Sequence, residues 1–162
     1  YGMSAWGLAR RVGISEDQAR AGIHRRNRRY PVVVEWGHKQ VAMAQSLDYV
    51  RSTMGRRVWI NRYARYGGAD RNAINSPIQT TAAEQTKLWQ NLLHKWCRDT
   101  GYDYSICLEV HDEVVADVPL EVVVAWRREM KARGIESGRV TVPGFPMAIK
   151  IATGLNWGDK KK

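Results

Sequence analysis

A chain of 162 residues with 44% apolar content is long enough for one domain, or a large part of one, around a sizeable core. Its 26 Lys and Arg against 16 Asp and Glu leave a formal charge of +10, which points to a polyanionic partner such as nucleic acid, or to a solvated cationic face. No apolar run reaches the ~18 residues of a membrane span and nothing reads as a signal peptide. Cys97 and Cys107 match no metal or disulfide spacing and read as reduced, buried thiols of a reducing, cytoplasmic compartment.

The chain opens on Tyr1 rather than Met. Residues 4–12 read as a short helix that Ser4 can cap and Gly13 can end. "SEDQ" at 15–18 fits a capping box, in which Ser15 accepts from the amide three residues on and Gln18 reaches back. A basic helix follows to about Tyr30, where Pro31 punctuates it, and 32–50 read as a further helix. "TMGRRVWINRYARYGG" sets turn glycines around a short apolar run, which predicts a hairpin or loop with an Arg-rich edge. Residues 70–98 hold the longest helical pattern, with Ile74, Ile78, Leu88, Leu92 and Trp96 on one stripe and Pro77 set to kink or start the helix. Strand signals follow at 104–110 and 114–118, a helix at about 120–133, and a last strand at 145–152. This order predicts an α+β fold with an antiparallel sheet.

Three constellations carry chemistry. In "CLEVHDEVVADVP", strand alternation puts Ile106, Leu108 and Val110 on one face and Cys107, Glu109 and His111 on the other. A chain reversal at His111-Asp112 would hold the Asp112 carboxylate at an exposed tip with Glu113 alongside. Hard cations such as Mg²⁺ take oxygen ligands of this kind. The same residues also suit a polar β-turn whose Asp hydrogen-bonds its own backbone. Arg71, Asn75 and Gln79, spaced by four, form one stripe on the long helix, apart from the Ile74/Ile78 stripe. Such donors can meet the purine N3 and pyrimidine O2 acceptors that every base pair offers in the minor groove; the alternative is a solvated helix face. Arg25, Arg26, Arg28, Arg29, Arg51, Arg56, Arg57, Arg62 and Arg65 are candidates for phosphate contact or for plain solubility. Trp36, Trp59, Trp89, Trp96 and Trp126 read as core.

The chain resembles part of the family A DNA polymerases, in ordered blocks over nearly its whole length. "YGMSAWGLA" is similar to the end of motif B, "TMGRRVWI" to the Gly-Arg-Arg hairpin and "RNAINSPIQTTAAE" to the Arg-three-Asn-x-Pro-x-Gln block. "LEVHDEVVADVP" is similar to motif C, and "AIKIATGLNWGD" to the terminal palm strand. The resemblance implies a C-terminal portion of the right-hand fold, with an antiparallel palm-type sheet. Residues 1–66 would end the fingers and supply the connecting hairpin, and 67–162 would belong to the palm. Asp112, flanked by Glu113, would be one of the two palm aspartates that hold two Mg²⁺ ions for template-dependent nucleotidyl transfer, and His111 would lie near the primer end. Arg71, Asn75 and Gln79 would grip the minor groove, and Tyr1 would meet the templating base. Primer-template DNA and a dNTP are the implied partners.

Two positions depart from the family pattern. Thr80 stands where Gly is common after the Gln, and Glu109 where Gln is common before Val-His-Asp. A larger departure is that motif A, with the second catalytic aspartate, and the basic part of the fingers helix have no counterpart here; the Asp-Tyr-Ser of "YDYSICLE" runs straight into motif C. One carboxylate cannot hold two metals. The expectation is one fragment of a split polymerase, active with a complementary fragment that carries the rest. A non-catalytic DNA-binding subunit of the same fold is the alternative. A His-Asp metal phosphohydrolase would need further histidines at metal spacing, and His24, His38 and His94 sit on predicted helices without it.

Overall fold

The computed structural model describes residues 3–63, 68–102 and 104–161. The chain divides into two compact units, Tyr1–Gln79 and Thr80–Lys162.

In the first unit, α1 (Ala5–Val12) starts at Ser4, whose Oγ accepts from the Gly7 amide at 3.1 Å. It ends on Gly13 at φ 75°, the left-handed region where a residue without Cβ costs least. The capping box forms as the sequence predicts. Gln18 N donates to Ser15 Oγ at 3.1 Å and Ser15 N to Gln18 Oε1 at 3.0 Å, opening α2 (Glu16–Arg29). Pro31 takes the first turn of α3 (Pro31–Leu47), where its missing N–H is no loss.

The helix expected over 32–50 stops earlier. Asp48 turns left-handed at φ 62°, and Tyr49–Arg51 become β1, paired antiparallel with β2 (Arg57–Trp59). Burial of Val50 from a strand replaces one more helical turn. The unit's core joins Ala44, Val50, Ile60 and Ala73, bordered by Val41, Val58 and Ala69.

The long helix α4 (Gly68–Thr100) carries Pro77 inside it and continues on both sides. Its buried row is not the expected one. Ala73, Pro77, Thr81, Thr86, Trp89, Leu93 and Cys97 are buried, whereas Ile74, Leu88, Leu92 and Trp96 are half-buried and Ile78 is 49% exposed. Small residues four apart (73, 77 and 81) make the buried row in the first half of the helix, and a periodicity scored on large side chains passes over them.

In the second unit, Trp89, Leu93 and Cys97 of α4 pack with Val114 and Trp126. Trp89 Nε1 donates to the Met130 carbonyl at 2.8 Å, so its one polar atom is satisfied in the core. Trp96, Tyr104 and Trp126 add ring contacts, with centroids 6.0 Å apart for Trp96–Trp126 and 5.6 Å for Tyr104–Trp126. Trp59 departs from the core expectation: it is 68% exposed and meets Tyr49 edge-on at 5.4 Å. Cys107 is exposed as well, and only Cys97 is the buried thiol expected.

A 3₁₀ turn, Leu120–Val122, leads into α5 (Val123–Thr141), which runs past the expected end near 133. Gly134 and Gly138 do not stop it. They are buried beneath Ile149 and Met147, and a Cβ at Gly134 would stand 2.8 Å from Ile149 Cγ1. The last strand expected at 145–152 is absent among the described residues. That segment crosses α5 by side-chain packing, Ile149 and Ile151 adding to the core, with no described strand to share backbone hydrogen bonds. The fold is α+β, and among the described residues its strands form two two-stranded antiparallel ribbons rather than one sheet.

Candidate functional site

The acidic stretch forms a hairpin with a two-residue turn. β3 (Ser105–Val110) pairs with β4 (Glu113–Asp117), Val110 opposite Glu113, and His111-Asp112 close the loop. His111 carries a positive φ of 57° and Asp112 does not, so the positive φ falls at the first central position, as in a type II′ turn. Glycine is the usual residue there, and a histidine held in that region stores strain of a kind that clusters at functional positions.

The turn lifts Asp112 out of the ladder. Its side chain is exposed and makes no hydrogen bond or ion pair among the described residues. The alternative of an Asp that hydrogen-bonds its own turn is therefore not what the structure shows. Glu113 begins β4, is half-buried and has an interaction of its own. Three acid–base side chains, His111, Asp112 and Glu113, thus share one end of a hairpin that Val114 anchors in the unit's core next to the turn and Ile106 and Ala116 anchor toward the other end. Among the described residues no group of three or more His, Cys, Asp or Glu could hold a metal ion. Two adjacent carboxylates suit an oxygen-seeking cation, and they leave most of its coordination to substrate or to other groups.

The faces of β3 differ from strict alternation. Ile106 pairs with Ala116 but Leu108 with Val115, so Cys107 is an extra, bulged residue. The bulge reverses the faces beyond it. Leu108 and Val110 move away from Ile106, leaving Leu108 40% exposed. Glu109 comes to the side of Val114, and there Gln90 Nε2 of α4 donates to Glu109 Oε2 at 2.5 Å. Gln90 is a contributor that sequence reasoning misses, because nothing in "SICLEV" announces a bulge. Tyr104 Oη and His94 Nδ1 share a further hydrogen bond. Burial raises the Tyr104 hydroxyl pKa above its ordinary value, with a charge on Cys97 adding, and burial likewise raises the Cys97 thiol.

Arg71, Asn75 and Gln79 lie on the α4 segment of the first unit. Arg71 and Gln79 are exposed and make no hydrogen bond or ion pair among the described residues; Asn75 is half-buried, and its Oδ1 is buried without a donor. Tyr1 and Arg65, two further candidates, lie outside the described residues. Elsewhere in the first unit the arginines divide. Arg62 pairs with Asp48 and donates to the Gln45 carbonyl, Arg51 donates to the Gly55 carbonyl at 3.1 Å, and Arg51 and Arg57 both lie over the Tyr49 ring.

A family profile described as DNA polymerase family A matches residues 1–159. DNA polymerase I of Pseudomonas aeruginosa is 34% identical over 167 aligned residues, covering 98% of this chain and 18% of that protein. DNA polymerase I of Chloroflexus aurantiacus is 32% identical, covering 98% of this chain and 17% of that protein. The chain thus spans under a fifth of the length of these relatives. Among solved structures, the POL domain of Pol1 from M. smegmatis, in complex with DNA primer-template and dNTP, superposes with a TM-score of 0.78 at 27% identity. The match covers 85% of this chain and 25% of that one.

Proposed function

The chain belongs to DNA polymerase family A, and from that premise we propose that it supplies the motif C carboxylates and a minor-groove contact to a DNA-directed DNA polymerase. The observation that carries this reading is the unpartnered Asp112 carboxylate at the end of a rigid two-residue hairpin, next to Glu113. Asp112 and Glu113 would hold Mg²⁺, with substrate phosphates and a second aspartate completing its oxygen shell. The ions, when bound, supply activation of the primer hydroxyl and charge neutralisation at the leaving pyrophosphate. The chain's own work is positioning: the bulge and the Gln90–Glu109 hydrogen bond set the direction in which the hairpin presents Asp112. His111 would stand by the primer end.

Arg71, Asn75 and Gln79 would read the minor groove without reading sequence. Asn75 would offer Nδ2 to purine N3 or pyrimidine O2. Tyr1 would meet the templating base. The partners are primer-template DNA, a dNTP and a complementary polymerase fragment that carries motif A and the fingers helix, assembled in the cytoplasm. No helix among the described residues is long and apolar enough to cross a membrane.

The test is primer extension by the chain combined with the complementary fragment. Extension that requires both pieces and Mg²⁺, and that Asp112→Asn abolishes without loss of DNA binding, supports the reading. Extension unaffected by Asp112→Asn removes the metal role, and DNA binding without any extension leaves a non-catalytic DNA-binding subunit.

A further inference from the structure

We propose that the outer face of α2 is a nucleic-acid contact in its own right, gripping the phosphate backbone of duplex DNA through Arg25, Arg28 and Arg29, with His24 and Arg26 beside them. It goes beyond the reading above and does not depend on catalysis.

The first observation is a division of labour among the first unit's arginines. Arg51, Arg57 and Arg62 are engaged in and around the β1–β2 hairpin, Arg10 lies over Trp6, and Arg20 pairs with Glu16 at 2.7 Å. Arg56 is also partnered. Among the described residues, those left without a hydrogen bond, ion pair or ring contact are Arg11, Arg71 and the four on α2, Arg25, Arg26, Arg28 and Arg29. All six are exposed.

Geometry gathers the α2 group. At 100° per residue, Arg25, Arg28 and Arg29 fall within about 100° of arc, and the buried or half-buried side of the helix, Ala19, Ile23 and Asn27, lies opposite. No Asp or Glu stands three or four residues from any of the three. A like-charged i, i+3/i+4 set is unfavourable in isolation, so an anion brought to it gains on every member at once. The helix dipole accounts for some of the bias, since Glu16 and Asp17 begin α2 and Arg26, Arg28 and Arg29 end it. It does not account for Arg25 and His24, which sit before the last turn.

Among polyanions, duplex DNA presents fixed charges at a spacing that several guanidinium groups on one face can meet together, each release of counterions adding to affinity. The net charge of +10 gives the same partner at long range.

The experiment follows anisotropy of a labelled 20-base-pair duplex titrated with the 162-residue chain as salt rises from about 50 to 200 mM. The plot of log K against log salt should flatten by about 2.7 in R25Q/R28Q/R29Q and by about 0.9 in each single variant. Arg→Lys at the same positions should keep the slope, because the charge remains, as should Arg127→Gln/Lys131→Gln on α5. The proposal is overturned if the glutamine triple keeps the parental slope, or if the lysine triple weakens binding as much as the glutamine triple. It is also overturned if the triple's loss appears only on phosphatidylserine vesicles and not on DNA. The titration contains no Mg²⁺ or dNTP and reads binding alone, so its outcome is separate from any failure of the catalytic reading.

Discussion

The molecule contains two antiparallel hairpins that use their charges in opposite ways. Between β1 and β2, a five-residue loop is knitted from inside: Ser52 N donates to the Arg56 carbonyl at 3.0 Å, Gly55 N to the Ser52 carbonyl at 3.0 Å, and Arg56 N to Ser52 Oγ at 3.1 Å. Arg51 and Arg57 lie over the Tyr49 ring, and Arg51 also donates to the Gly55 carbonyl. Between β3 and β4, two residues close the turn, and the charge at its apex meets nothing from the described residues. A charge satisfied within its own hairpin stabilises that hairpin; one left unsatisfied on a rigid support is available to a ligand. Motif composition alone makes the first hairpin look as functional as the second.

Substitutions can break this contrast. Asp112→Asn should reduce primer extension by at least about 10³-fold, since metal-held charge stabilisation amounts to several kcal/mol, and should leave the thermal midpoint unchanged. An equally large loss of stability would make Asp112 structural and erase the difference. His111→Val should cost about 1–3 kcal/mol in a denaturant titration, because a β-branched residue does not tolerate φ 57°, whereas His111→Asn should stay within about 0.5 kcal/mol. Ser52→Ala should cost about 1–2 kcal/mol, the loss of a nearly buried hydroxyl that accepts from Arg56, with extension unaffected. Glu109→Leu should cost no more than about 1 kcal/mol, the worth of its hydrogen bond to Gln90, and Glu109→Gln less still.

The smallest effect is one of pH. Burial raises the Cys97 thiol above its ordinary 9.0 and the Tyr104 hydroxyl above 10.0, so the folded chain holds both protons more tightly than the unfolded one. The corresponding stability is complete below the ordinary values and drains away as pH climbs through the raised ones. Denaturation midpoints should fall from about pH 9 upward, and fall less steeply in Cys97→Ala relative to its own value at neutral pH. A flat profile in the parent would show that neither proton is held by the fold.

Much of this protein is legible in its residues because the deciding interactions are local. Ser4, Gly13, the Ser15/Gln18 box and Pro31 act within a turn of themselves, and each delimits the helix its type predicts. The reversal at His111-Asp112 likewise follows from two short apolar strands around a polar pair. Three-dimensional packing alone decided the remainder. It chose Ala73, Pro77 and Thr81 over Ile78 for burial, and it carried α5 through Gly134 and Gly138 to seat Ile149 and Met147. It inserted the Cys107 bulge that turns Glu109 toward Gln90, and it left 145–152 without a strand partner. Capping and turn chemistry depend on atoms a few residues apart, which the order of residues specifies directly; burial, register and pairing depend on which distant surfaces meet, and that emerges only when the chain has folded.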